Sequence, residues 1–145
     1  MELLADLDAP CPPDHLFGWI DDLDRYERWL SLVRRTERDE SGSTEAPAWT
    51  VDLEAQLGPL ARAKRLRMER THCEPPHLVV FERRELDGRD HGVWILRAEV
   101  TPTSTGSHLA MALRYDGRLW GPAVAAVLNQ EIGRSRQRLL DLIEA

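Results

Sequence analysis

The chain has 145 residues, 42% apolar and 30% charged, with a net charge of −6 and a sequence pI near 5.4. That suits one domain over residues 1–145 with room for a real core, and it argues against a general nucleic-acid binder. The N-terminal MELLADLDAP is acidic, so no signal peptide is expected; no run approaches the ~18 apolar residues of a membrane span, and the cytoplasm is the default address.

Residues 2–8 alternate around Leu3, Ala5 and Leu7 and read as a first strand, stopped by Ala9-Pro10-Cys11-Pro12-Pro13. Asp14 is placed to cap a short helix carrying Leu16, Phe17, Trp19 and Ile20. Asp22 to Leu30 reads as a second, with Leu23, Tyr26 and Trp29 or Leu30 on one side. From Leu32 the period changes to two. Strands are expected over Leu32–Arg38, around Trp49, Val51 and Leu53, and over Ala61–His72, His77–Glu85, Gly92–Thr101 and Ser107–Tyr115. The polar run 39–47, Gly58-Pro59, Glu74-Pro75-Pro76, Asp87-Gly88 and Pro102–Gly106 separate them. Six consecutive strands on hairpin-length loops make one antiparallel sheet, in an α+β arrangement.

Trp120 to Ala145 reads as one long helix. Pro122 suits its first turn. Val124, Val127, Leu128, Ile132, Leu139, Leu142 and Ile143 form one apolar stripe, with Asn129, Arg134, Arg136, Arg138 and Asp141 opposite. At about 1.5 Å per residue the helix spans roughly 35 Å, the width of a small domain, and the strands must cover its stripe.

Turn chemistry also predicts register. A two-residue turn at Asp87-Gly88 pairs Phe81 with Trp94. A turn at 73–76 pairs His72 with His77 and Met68 with Phe81, and one at Gly58-Pro59 pairs Trp49 with Met68. Matching Ala98 to Leu109 pairs Leu96 with Met111 and Trp94 with Leu113. The row Trp49, Met68, Phe81, Trp94, Leu113 then shares a face with Val51, Leu66, Leu96, Val100, Leu109, Met111 and Tyr115.

Several features together resemble the polyketide cyclase/dehydrase branch of the START-like (SRPBCC) superfamily. They are Ala9-Pro10 before a short helix, Tyr26-x-x-Trp29-Leu30, Gly-Pro-Leu at 58–60 and the Gly-Pro stop before the last helix. The resemblance implies a helix-grip fold, α+β: a bent seven-stranded antiparallel sheet wrapped around a long C-terminal helix, with two short helices after the first strand. It also implies a cavity between sheet and helix for a small hydrophobic, lipid- or polyketide-like ligand. It does not imply a reaction, since carriers and cyclases share the layout.

The candidate cavity residues are Trp49, Met68, Arg70, His72, Phe81, Trp94, Leu96, Met111, Tyr115 and Leu128. Arg70 suits bidentate contact with a carboxylate, phosphate or enolate oxygen, and His72 a proton carrier near neutral pH; both are equally at home on a rim or an outer face. Tyr115 is a hydrogen-bond donor or a core tyrosine, and Trp49, Phe81 and Trp94 are cavity walls or plain core. Met68 and Met111 suit an adaptable lining or core filling. The cationic strand Arg62, Lys64, Arg65, Arg67, Arg70 reads as a solvated convex face paired with Glu54, Glu82 and Glu99, ahead of an anionic partner or lipid headgroup. His15, His91 and His108 have no partners at useful spacing. Cys11 and Cys73 lack zinc-site spacing and form no disulfide framework, although nothing in the sequence forbids a bridge. No phosphate loop, nucleophile elbow or metal motif is present, so no cofactor and no metal are expected and catalytic residues stay unassigned. The expected function is ligand carriage or sensing. A cyclase or dehydratase in the same cavity and a protein-interaction module are the alternatives, and a homodimer stays open.

Overall fold

A computed structural model describes residues 2–42, 45–57, 59–116 and 122–144, without the side chains of 57, 60 and 122–128. Expectations for Gly58, Trp120, Gly121 and Ala145, and for the side chains of Val124, Val127 and Leu128, lie outside the described residues. In chain order come β1 (Glu2–Ala9), α1 (Pro13–Phe17), a 3-10 helix (Leu23–Arg28), β2 (Val33–Arg38), β3 (Ala48–Leu57), β4 (Leu60–Glu74), β5 (Leu78–Arg83), β6 (Trp94–Thr103), β7 (Gly106–Tyr115) and α2 (Pro122–Glu144). The strands form one seven-stranded antiparallel sheet in the order β1-β7-β6-β5-β4-β3-β2. Helix α2 touches both β1, at one edge, and β3, next to the other. A straight rod reaches both only if the sheet curls around it, which is the expected helix grip.

The two short helices differ from expectation, the first in its cap and the second in its form. Pro12, not Asp14, occupies the capping position of α1, with no side-chain cap; Pro13 in the first turn has no N–H to satisfy. The second helix is the tighter 3-10 form, and the Asp22 carboxylate accepts the Asp24 N–H at 2.9 Å.

Register follows the turns in part. Trp49 pairs Met68 and Val51 pairs Leu66, as expected. Phe81, however, pairs Leu96 and Arg70, not Trp94 and Met68, and Leu96 pairs Leu113, not Met111. Asp87 does organise a turn, accepting the Arg89 N–H at 3.0 Å, but it lies inside the longer loop 84–93, and β6 starts at Trp94. Each slip is two residues, so every side chain keeps its face. The exception is a bulge in β4: Arg70 pairs Phe81 while His72 pairs Val80, leaving Thr71 extra. Beyond it the alternation reverses. Cys73 continues the inner face and His72 turns outward, against its expected place among the cavity residues.

The core is aromatic toward β3–β5. Tyr26, from the 3-10 helix, sits 4.8 Å from Trp29 and 6.2 Å from Phe81, and Trp49 sits 5.7 Å from Phe81, ring centre to ring centre. Where β7 starts beside the end of β1, only glycine fits: Gly106 has φ +153°, and a Cβ there would collide with the Ala9 carbonyl oxygen. The buried Ser107 hydroxyl donates to the Cys11 carbonyl at 2.5 Å, tying the proline-rich stop to the sheet.

Candidate functional site

Alternation places Leu3, Ala5 and Leu7 of β1, Leu96 of β6, and Leu109, Met111 and Leu113 of β7 on the inner face. Between this patch and α2 a gap of about 100 Å³ opens. Ile132 and Leu139 of α2 form its opposite wall, and Trp29, Leu30 and Leu32 close its side. The lining is almost wholly apolar.

Its polar members come from α2, except Asp6 of β1. The Glu131 carboxylate accepts the Ser31 hydroxyl on one oxygen and Arg134 on the other, the latter at 3.1 Å. The buried Ser135 hydroxyl donates to the Glu131 carbonyl at 2.8 Å and accepts the Ser31 N–H at 3.4 Å. These groups satisfy one another and pin α2 to the segment before β2. Asp6 and Arg136 stand at the border. The sequence reading missed all of them. Glu131, Ser135 and Leu139 lie four apart, so two polar residues interrupting an apolar stripe were the available signal.

The expected site residues divide. Leu96 and Met111 line the gap. Trp49, Met68 and Phe81 are buried core toward the other edge of the sheet. Trp94 and Tyr115 pack together at 5.3 Å, with burial holding the Tyr115 phenol above its ordinary pKa. Arg70 donates to the Asp21 backbone carbonyl at 2.9 Å. Burial pushes the Asp21 carboxyl up while the Arg70 charge opposes it. His72 is 52% exposed, with Nε2 2.8 Å from the Glu74 carboxylate. Arg70, His72 and Tyr115 therefore have separate partners and do not converge on one point. Among the described residues, the Trp49 indole N–H is the one buried side-chain polar atom with no hydrogen-bond partner.

The cationic strand is also corrected. Arg65 pairs Asp52 at 2.7 Å. Arg67, 6% exposed, pairs Asp39 at 2.8 Å and Glu69 at 3.2 Å and donates to the Arg84 carbonyl at 2.9 Å. Glu54, Glu82 and Glu99 instead pair Arg34, Arg84 and Arg97. Lys64 faces inward, 5.9 Å from the Trp94 ring, and burial pulls its ammonium below its ordinary pKa. His108 and His91 do have partners, Asp8 at 2.7 Å and Asp87 at 2.8 Å. Cys11 and Cys73 are free. No described helix is long and apolar enough to cross a membrane.

Residues 5–144 match the family model for polyketide cyclase / dehydrase and lipid transport. No curated protein matches the chain. Among solved structures, a protein from Thermus thermophilus is similar over 99% of this chain and 97% of its own, at TM-score 0.75 and 16% identity. A START superfamily protein from Mycobacterium smegmatis is similar over the same shares, at TM-score 0.69 and 13% identity. The di-domain ARO/CYC protein StfQ of the steffimycin biosynthetic pathway matches at TM-score 0.67 and 16% identity, over 99% of this chain and 50% of its own. At such identities the likeness is one of fold.

Proposed function

This chain belongs to the polyketide cyclase / dehydrase and lipid transport family, and on that premise we propose that it binds a small hydrophobic molecule in the gap beneath α2, as a carrier or sensor. The observation that carries the reading is the gap itself: about 100 Å³ lined by aliphatic side chains on the inner face of β1, β6 and β7. Apolar surface left uncovered there is what a lipid- or polyketide-like guest would remove from water. Such a volume takes a short acyl segment; a larger guest needs α2 to shift outward. Carriage ranks above catalysis because Glu131 and Ser135 are already engaged by Ser31, Arg134 and their own helix. A cyclase reading is favoured by one observation, that the Glu131 carboxylate lines the same gap. It would have to release its Ser31 and Arg134 contacts to move a proton.

The test is native mass spectrometry of the purified protein beside Ala5→Phe, which fills the gap from β1. A small molecule retained by the wild type and lost from a folded Ala5→Phe variant is the expected result. A wild type that carries nothing, and whose melting is unmoved by a panel of fatty acids and aromatic polyketides, would overturn the reading. If turnover of a polyketide chain is found, Glu131→Gln separates the two roles, because binding should survive it and turnover should not.

A further inference from the structure

Resting on that cavity, we infer that the ligand carries an anionic head, a carboxylate, which docks on Arg136 at the mouth while its apolar tail enters the gap. The argument begins with which polar groups are satisfied. Glu131 is held by Ser31 and Arg134, and Ser135 by its own helix and Ser31. Arg136 borders the apolar gap and also a shallow groove on the outer side of β1, β7 and β6. It is exposed, and among the described residues it has no ion pair or hydrogen bond. A guanidinium at the rim of an aliphatic pocket presents paired N–H donors to an oxyanion at the point where a chain would emerge into water.

The competing charge is Asp6. It borders the same gap and the same outer groove as Arg136, and its carboxylate lies 3.9 Å from His108 Nε2 on the outer side of the sheet, which holds part of its charge there. Arg97 and Glu99, in the outer groove, pair with each other. Among the described residues that line the gap, Arg136 is thus the cation with no protein partner, and complementarity selects a monoanionic amphiphile over a neutral one. The small gap selects a short chain.

The experiment is calorimetric titration of octanoate and of octanol into the wild type and into Arg136→Gln and Arg136→Lys. The wild type should bind octanoate more tightly than octanol, with a preference that shrinks as salt rises. Arg136→Gln should weaken octanoate by about fivefold to tenfold and leave octanol unchanged, while Arg136→Lys keeps part of the preference. Equal octanoate affinity in wild type and Arg136→Gln overturns the assignment of the head while leaving the cavity intact. Failure of both probes to bind the wild type overturns the cavity reading itself.

Discussion

Leu139→Ala tests whether α2 is the lid of a cavity. Leu139 is 1% exposed and forms part of the gap's helical wall. The substitution removes three buried carbons, about 2.4 kcal/mol at ~0.8 kcal/mol each. The space left behind adds to that, at roughly 1 kcal/mol for each ~40 Å³ that does not collapse. A total of about 3–4 kcal/mol follows, read in urea as a midpoint lowered by about 1.5–2 M for a slope near 2 kcal/mol/M. The gap, now about 100 Å³, should widen to roughly the ~150 Å³ of an engineered cavity that accepts benzene. Benzene should therefore raise the variant's midpoint, by up to ~2.7 kcal/mol at one hundred times its dissociation constant, and act less on the wild type. A loss under ~1 kcal/mol would refute the packing of α2 over the gap. A full loss with no benzene response would mean that the site collapses and that the gap is not a pocket.

Arg67→Met should cost about 3–5 kcal/mol in urea unfolding, because it removes the cation between the partly buried Asp39 and Glu69 carboxylates, with partial recovery in the Arg67→Met/Asp39→Asn double variant; a change within ~0.5 kcal/mol would place the network in solvent. Gly133→Ala should stabilise by about 0.5–1 kcal/mol, since a Cβ there meets nothing within 4 Å; a loss in thermal unfolding would show that the helix uses this glycine. The Asp39 carboxyl is held down to about 2 from 3.8 by the Ser41 hydroxyl and N–H and by Arg67. Its folded pKa is depressed, so its contribution is complete above about pH 4 and fades as pH falls toward 2. Urea midpoints measured between pH 5 and 2 should drop more steeply in the wild type than in Asp39→Asn.

Element order was legible because each element has its own period. Faces were legible although three hairpins slipped, because a slip of two preserves parity. The β4 bulge was not. Nothing in Arg70-Thr71-His72 marks an extra residue, and one residue is enough to send His72 to solvent and Cys73 inward. The burial of Arg67 was missed for a different reason. Strand alternation put it on the convex face beside Glu69, where it is, but only tertiary structure brings Asp39 and the Arg84 carbonyl to it and buries it. The site was half legible: Leu96 and Met111 belong to the apolar pattern, whereas the wall from Trp29, Leu30 and Leu32 depends on how the helical insertion docks.

The aromatic residues misled for a physical reason. Trp49, Phe81, Tyr26 and Trp29 fill the space beneath β3–β5 ring against ring. Large rigid side chains close a gap between a curved sheet and a straight helix; they do not leave one. The gap survives on the other side, where β1 offers Ala5 and β7 the flexible Met111, and where α2 is held by the Ser31, Glu131 and Ser135 hydrogen bonds as well as by apolar packing. Ligand preference should therefore respond to substitutions at Ala5, Met111, Leu113 and Ile132, whose side chains bound the free volume. Changes at Trp49 or Phe81 should lower stability first and alter binding only through it.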